Sequence, residues 1–160
     1  MTGAHAPEGE TAERDVTLMR RCLEQATMAF EMGEVPIGAL VVRDDQVLAA
    51  AGNAPLRSHD PTAHAEVLAL RAAARAVGNY RLPGAELFVT VEPCLMCVGA
   101  VLQARLQRVV FACRDPKAGA LGSIADFSND ARLNHRFRVT AAVCEPEARE
   151  LLQRFFRERR

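Results

Sequence analysis

Leu87-Phe-Val-Thr-Val-Glu-Pro-Cys-Leu-Met-Cys97 decides how this chain folds. Its first five residues are an apolar run rich in β-branched and aromatic side chains, the pattern of a buried strand. Glu92 and Pro93 follow, and Pro93 suits the first position of a helix, where a missing N–H costs nothing. Cys94, Cys97, Val101 and Leu102 then fall on helical spacing. A strand feeding directly into a helix is half of a unit in which helices cover a sheet.

The same alternation extends in both directions. Downstream, residues 108–112 read as a strand, residues 114–134 as a long Gly-, Asp-, Asn- and Ser-rich loop, and residues 138–143 as a weaker strand. A loop of that length in a small domain is usually functional or mobile. A last helix, 146–160, turns Ala148, Leu151, Leu152 and Phe155 inward. Upstream, Thr62 is a candidate N-cap for a helix whose inner stripe is Val67, Leu70, Ala74 and Val77. Residues 37–42 and 47–51 form a hairpin turning at Asp44-Asp45, with both strands largely buried. Val16, Met19, Leu23, Ala26 and Phe30 share one face of a first helix, stopped by Gly33. The polar residues 1–12 read as a disordered tail before a single domain, 13–160. The predicted fold class is α/β, a three-layer α/β/α sandwich around a mixed five-stranded sheet.

Composition limits what such a domain does. The 160 residues, 49% hydrophobic and 25% charged, suit one ordinary globular domain. No apolar run approaches the 18 or so residues of a membrane span, and the N-terminus lacks the layout of a secretory signal. The expectation is a cytoplasmic protein with no membrane partner. Twenty basic and twenty acidic residues exclude a globally basic nucleic-acid binder, so any such contact must be local. Residues 1–34 hold seven acids against three bases, which leaves the remainder net positive. Every cation except Lys117 is arginine, the side chain suited to phosphates and planar bases. Five cysteines, an odd number, argue against a disulfide framework.

The chemistry sits in two short motifs, His64-Ala65-Glu66 and Pro93-Cys94-Leu95-Met96-Cys97, each placed at the start of a predicted helix. Helical side chains lean toward the N-terminus, so groups at two helix mouths can converge on one point. Helix dipoles there lower the cost of ionising a thiol. One nitrogen and two sulfurs suit Zn²⁺, and three ligands leave a fourth position for water, the mark of a catalytic site. Bound zinc lowers the pKa of water from about 15.7 to roughly 7. Glu66 is then placed to carry a proton from that water to a substrate nitrogen. Taken alone, Cys94-x-x-Cys97 also reads as a redox pair. A closed structural zinc site would draw a fourth ligand from His59 or Cys113.

The pairing of His-x-Glu with Pro-Cys-x-x-Cys is a signature of zinc-dependent nucleobase deaminases. Over residues 15–160 the chain resembles the bacterial tRNA-specific adenosine deaminases, within the cytidine/deoxycytidylate deaminase superfamily. Glu34-Val-Pro-Ile-Gly-Ala39, His59-Asp-Pro-Thr-Ala-His-Ala-Glu66, Asn79-Tyr-Arg-Leu82, Arg114-Asp115 with Gly119-Ala-Leu-Gly-Ser123, and Phe155-Phe156-Arg157 carry that resemblance alongside the cysteine motif. It implies a cytidine deaminase-like fold, one zinc per subunit, a homodimer with active sites near the subunit boundary, and a tRNA anticodon stem-loop as substrate. The implied reaction converts the wobble adenosine, with an arginine tRNA as favoured target, to inosine and ammonia. By the same resemblance His64, Cys94 and Cys97 match the zinc ligands and Glu66 the proton shuttle. Asn53 matches the side chain that binds the purine, and Val35 and Val91 line the base pocket. The backbones of Ala65 and Pro93 face the reacting water or leaving group. Asp115 matches a residue touching RNA beside the flipped base. Phe156 and Arg157 are candidates for contact with RNA, and Phe156 for the partner subunit as well. The tail is longer and more acidic than this family leads one to expect, and Cys113 stands where a small residue is usual. Rival readings are a free-base or nucleoside deaminase, a catalytically dead RNA-binding member and a cysteine redox protein.

Overall fold

The β-strand pairing places the Leu87 run at the centre of the molecule. In the computed structural model, which describes residues 8–159, β3 (Glu86–Val91) is the middle strand of a five-stranded sheet. Its neighbours are β1 (Gly38–Arg43), antiparallel, and β4 (Arg108–Cys113), parallel. β2 (Gln46–Gly52) lies outside β1 as an antiparallel edge, and β5 (Arg138–Thr140) outside β4 as a parallel one. A mixed sheet results, because the early hairpin is antiparallel while the strand–helix–strand unit is parallel. Both strands of the hairpin were expected to be buried. Only β1 is; β2 is mostly half-exposed, as an edge strand with one free side.

Side chains alternate between two faces of the sheet. Ala39, Val41, Leu87, Val89, Val109 and Phe111 meet α3 (Ala65–Val77) and α4 (Leu95–Ala104). Leu40, Val42, Phe88, Val110 and Ala112 meet α1 (Glu8–Glu31) and α5 (Glu145–Glu158). Three layers follow from that alternation. α1 lies so close on β1 that a Cβ at Gly38 would stand 2.0 Å from the Cys22 carbonyl oxygen.

Several boundaries differ from the expected ones. α1 already runs from Glu8, so residues 8–12 of the expected tail are helical, and residues 1–7 lie outside the described residues. The inner stripe of α3 is Ala65, Ala69, Leu70 and Ala73; Val67, Ala74 and Val77 sit at its margin. Small side chains let the helix axis approach the sheet, and bulkier ones are pushed to the sides. The loop after the hairpin contains one short turn of helix, α2 (Pro55–Ser58). Thr62 is not the cap of α3, nor is Pro93 the first residue of α4: His64 and Cys94 hold the two N-cap positions. Strand β5 stops at Thr140, three residues short of the expected end.

At the end of the sheet away from the helix mouths, Arg108 bridges three elements. Its guanidinium donates to both Asp15 carboxylate oxygens of α1 at 2.9 and 2.5 Å, to Glu86 at 2.8 Å and to Thr140 at 3.0 Å. Arg14 completes the cluster with a second bond to Glu86, also 2.8 Å.

Candidate metal centre

α3 and α4 both begin at the carboxyl ends of the central strands, where parallel sheets place their ligands. His64 and Cys94 are extended at their cap positions, and their carbonyls accept the first helical bonds, from Leu68 at 3.0 Å and Val98 at 2.9 Å. Neither side chain caps its own helix, although cap side chains usually do. Both are turned toward the gap between the helix mouths, and Cys97, on the third residue of α4, joins them there. The Cys94 Sγ is 3.6 Å and the Cys97 Sγ 3.5 Å from His64 Nδ1.

These separations fit a metal. A tetrahedral zinc at about 2.3 Å from sulfur and about 2.1 Å from nitrogen holds its N and S donors about 3.6 Å apart. Among the described residues, His64, Cys94 and Cys97 are the group of donors close enough to share an ion. His59 and Cys113 are not members of it, so the closed four-ligand alternative has no support. Cys113 is buried and its thiol donates to the Thr90 carbonyl at 3.5 Å. All five cysteines are free thiols, and Cys94 and Cys97 form no redox disulfide.

The two thiols differ electrostatically. A hydrogen bond from Cys97 lowers Cys94 to about 5, with the α4 amides and His64 adding to the effect, while Cys97 is pushed up as the partner that keeps the proton. The same pairing favours the thiolate form at Cys94, the form that a soft cation binds. Glu66, on the second residue of α3, is buried. Burial pushes its carboxyl above the ordinary carboxylate range, offset in part by its own N–H and by Cys97. A carboxyl so placed is suited to taking and returning a proton near neutral pH.

Asn53 lies beside this group. It is buried, and its side-chain oxygen accepts the Ala65 N–H at 3.0 Å. That bond fixes the amide orientation and leaves the two amide N–H donors for a ligand. It also engages the N–H of Ala65, whose backbone was expected to face the reacting water or leaving group. The Pro93 carbonyl is similarly engaged, by the Ala120 N–H at 2.8 Å, and keeps one lone pair. Val35 is half-buried and tied in by the Ile37 N–H at 2.8 Å, while Val91 is buried at the end of β3.

Asp115 lies in the loop after β4, its carboxylate accepting the Lys117 and Ala118 N–H groups at 3.1 and 3.2 Å, while the α5 residues border a separate cleft. Arg114, Arg149, Phe156, Arg157 and Cys113 line a cleft of about 590 Å³. Phe156 is 53% exposed, whereas Phe155 is core and stacks edge-on against Phe30 at 5.6 Å. Two buried carboxylates had not been singled out. Glu34 receives the Leu56 and Arg57 N–H groups at 3.3 and 2.7 Å, holding α2 beside the site. Glu92 receives several amides of the loop after β4. An acid directly after a buried strand and before a proline was the only signal for the second.

Family comparisons agree with this geometry. A family model described as MafB19-like deaminase matches residues 13–160. The tRNA-specific adenosine deaminase of Haemophilus influenzae is 44% identical over 150 residues, covering 93% of this chain and 87% of that protein. This chain belongs to the tRNA-specific adenosine deaminase family. A solved structure from work on A-to-I editing by tRNA:A34 deaminases at the wobble position matches with TM-score 0.81 and 42% identity. That match covers 84% of this chain and 97% of the other. Guanine deaminase from Bacillus subtilis is more distant, with TM-score 0.61 and 32% identity over 76% of this chain and 82% of that one. The mixed five-stranded sheet is thus the cytidine deaminase-like fold of the family, and the chain is a deaminase.

Proposed function

We propose that this enzyme hydrolyses the wobble adenosine of a tRNA anticodon to inosine, releasing ammonia, with one zinc held by His64, Cys94 and Cys97. The observation that carries the proposal is the three-donor group at two converging helix mouths, with a buried Glu66 beside it, in a chain of this family. Zinc, when bound there, supplies the Lewis acidity that makes water a nucleophile near neutral pH. Glu66 accepts a proton from the water and delivers it to a substrate nitrogen. The oriented Asn53 amide donates to an acceptor nitrogen of the purine. Val35 and Val91 close the base pocket, and the free lone pair of Pro93 meets the water or the departing amine. The Ala65 backbone also faces the water or the departing amine, and its N–H holds Asn53.

The base must leave its stack to reach this point, which an anticodon loop permits more cheaply than a duplex. Asp115 meets the RNA beside the flipped base. Phe156 and Arg157 meet it further along, where the arginine-lined cleft suits phosphodiester oxygens. An arginine tRNA is the proposed target, and the cytoplasm the proposed location. Among the described residues no helix is long and apolar enough to cross a membrane.

The test is to purify the chain, measure its zinc, and incubate it with unmodified tRNA transcripts read by sequencing. About one zinc per chain and inosine at the wobble position of an arginine tRNA are expected. Asp115→Ala should lower kcat/KM on an anticodon stem-loop by roughly 10-fold or more, the loss of one charged contact. Turnover without metal would end the proposal. The guanine deaminase neighbour favours one second reading, a free-base deaminase, and equal or faster turnover of guanine would establish it.

A homodimer is part of the proposal. Leu56, Leu95, Met96 and Ile124 are exposed on the elements that rim the site, with Ile124 bonded to Gly119 and Gly119 bridged to Cys94. Sedimentation should give twice the chain mass, and Leu95→Glu should shift it toward the monomer.

A further inference from the structure

The Glu92 carboxylate is fully buried, yet it is not among the donors close enough to share an ion. Every group bonded to it is a donor from one loop. Oε1 accepts the Asp115 N–H at 3.2 Å and the Ser123 hydroxyl; Oε2 accepts the Leu121 and Ser123 N–H groups, both at 3.1 Å. The loop folds round this side chain so tightly that a Cβ at Gly119 would lie 2.2 Å from the Glu92 carboxyl carbon. Two further links tie the same loop to the metal-binding segment: the bridge between Gly119 and Cys94, and the Ala120 N–H to the Pro93 carbonyl.

We infer that Glu92 is a positioning residue for the deamination: its buried carboxylate sets Asp115 and the following loop at a fixed distance from the metal ligands. The inference rests on the function proposed above, since it makes Asp115 the group being aimed. The physical logic is direct. Glu92 immediately precedes the cysteine motif and is itself anchored by its N–H to the Cys113 carbonyl at 2.8 Å. One side chain therefore references the RNA-reading loop to the chain that carries Cys94. A carboxylate has acceptors only, and here it matches a set made wholly of donors. A loop that would otherwise fluctuate is locked before substrate arrives, so binding does not have to supply its ordering.

The test uses Glu92→Gln, Glu92→Asp, Gly119→Ala and the double variant Glu92→Asp/Gly119→Ala in the full zinc-loaded chain. Glutamine places an NH₂ against one set of donors. Zinc content, helical signal and melting behaviour close to the parent are expected, with kcat/KM on the anticodon stem-loop lowered roughly 10–100-fold, most of it in KM. Gly119→Ala should reproduce that loss. The shorter aspartate opens room for the new methyl group, so the double variant should be more active than the product of the single effects. Amide exchange gives a readout independent of turnover: Glu92→Gln should speed exchange at residues 115–123 and leave β3 and α4 unchanged. Unaltered exchange in that loop overturns the inference even if the enzyme never acts on tRNA. An inactive parent enzyme with faster loop exchange in the variant would instead count against the function and leave the loop anchor standing. Loss of zinc or of folding in Glu92→Gln, with strictly additive behaviour in the double variant, would reduce Glu92 to a structural role and overturn the inference.

Discussion

Glu66→Gln should bind zinc as the parent does and turn over on the order of 10²–10⁴-fold more slowly. The change keeps size, shape and one acceptor oxygen, so the buried niche beside Cys97 is filled as before. Only the ability to take and return a proton is lost. His64, Cys94 and Cys97 form the candidate donor group without Glu66, which is why metal content should hold. The burial that raises the Glu66 carboxyl costs the neutral glutamine less, so the fold should be no less stable. Elemental analysis and initial rates of inosine formation check both halves. A rate near that of the parent would assign proton transfer to another group. Loss of zinc would make Glu66 a ligand.

The largest loss of stability is expected at the opposite end of the sheet. Arg108→Met removes the closest cation of the Asp15 carboxylate, 3% exposed, and one of the two on Glu86, 10% exposed, leaving Arg14 at 3.7 Å from Asp15 and 2.8 Å from Glu86. Removing one partner of a buried ionic group costs about 3–5 kcal/mol, against a total of about 5–15 kcal/mol for a domain. At about 2–4 °C per kcal/mol for a chain of this size, the melting temperature should fall by roughly 10 °C. Adding Asp15→Asn and Glu86→Gln removes the under-compensated negative charge and should recover much of the loss. Denaturant unfolding of the single and triple variants checks this. A change below about 1 kcal/mol for Arg108→Met would mean that water or Arg14 replaces the lost guanidinium. The candidate metal site should be indifferent, because Asp15, Glu86 and Arg108 join the first helix to the starts of β3 and β4, whereas Cys94 and Cys97 follow the end of β3 and meet His64 of the α3 mouth there.

Much of the site was legible because its parts are local. Cys94 and Cys97 are three residues apart, and His64 and Glu66 two, so helix geometry alone brings each pair to a helix mouth. The alternation of apolar runs likewise announced the strands and the helices that cover them. Details set by close packing were not legible. Which face of α3 would turn inward depended on how near its alanines let it approach the sheet. Thr62 yielded the cap position to His64 because Asn53, eleven residues upstream of His64, bonds the Ala65 N–H.

By themselves, the residues and their order determined the α/β fold class and put the candidate donor set and Glu66 at helix starts. Short-range spacing and hydrophobic period carry those facts within a few residues of chain. The tertiary structure alone decided that the two helix mouths meet, that Glu92 grips the loop of Asp115, and that Arg108 joins residues 93 and 22 positions away. Such contacts arise from where the β-strands bring distant segments together, and neither propensity nor periodicity encodes which buried charge will face which.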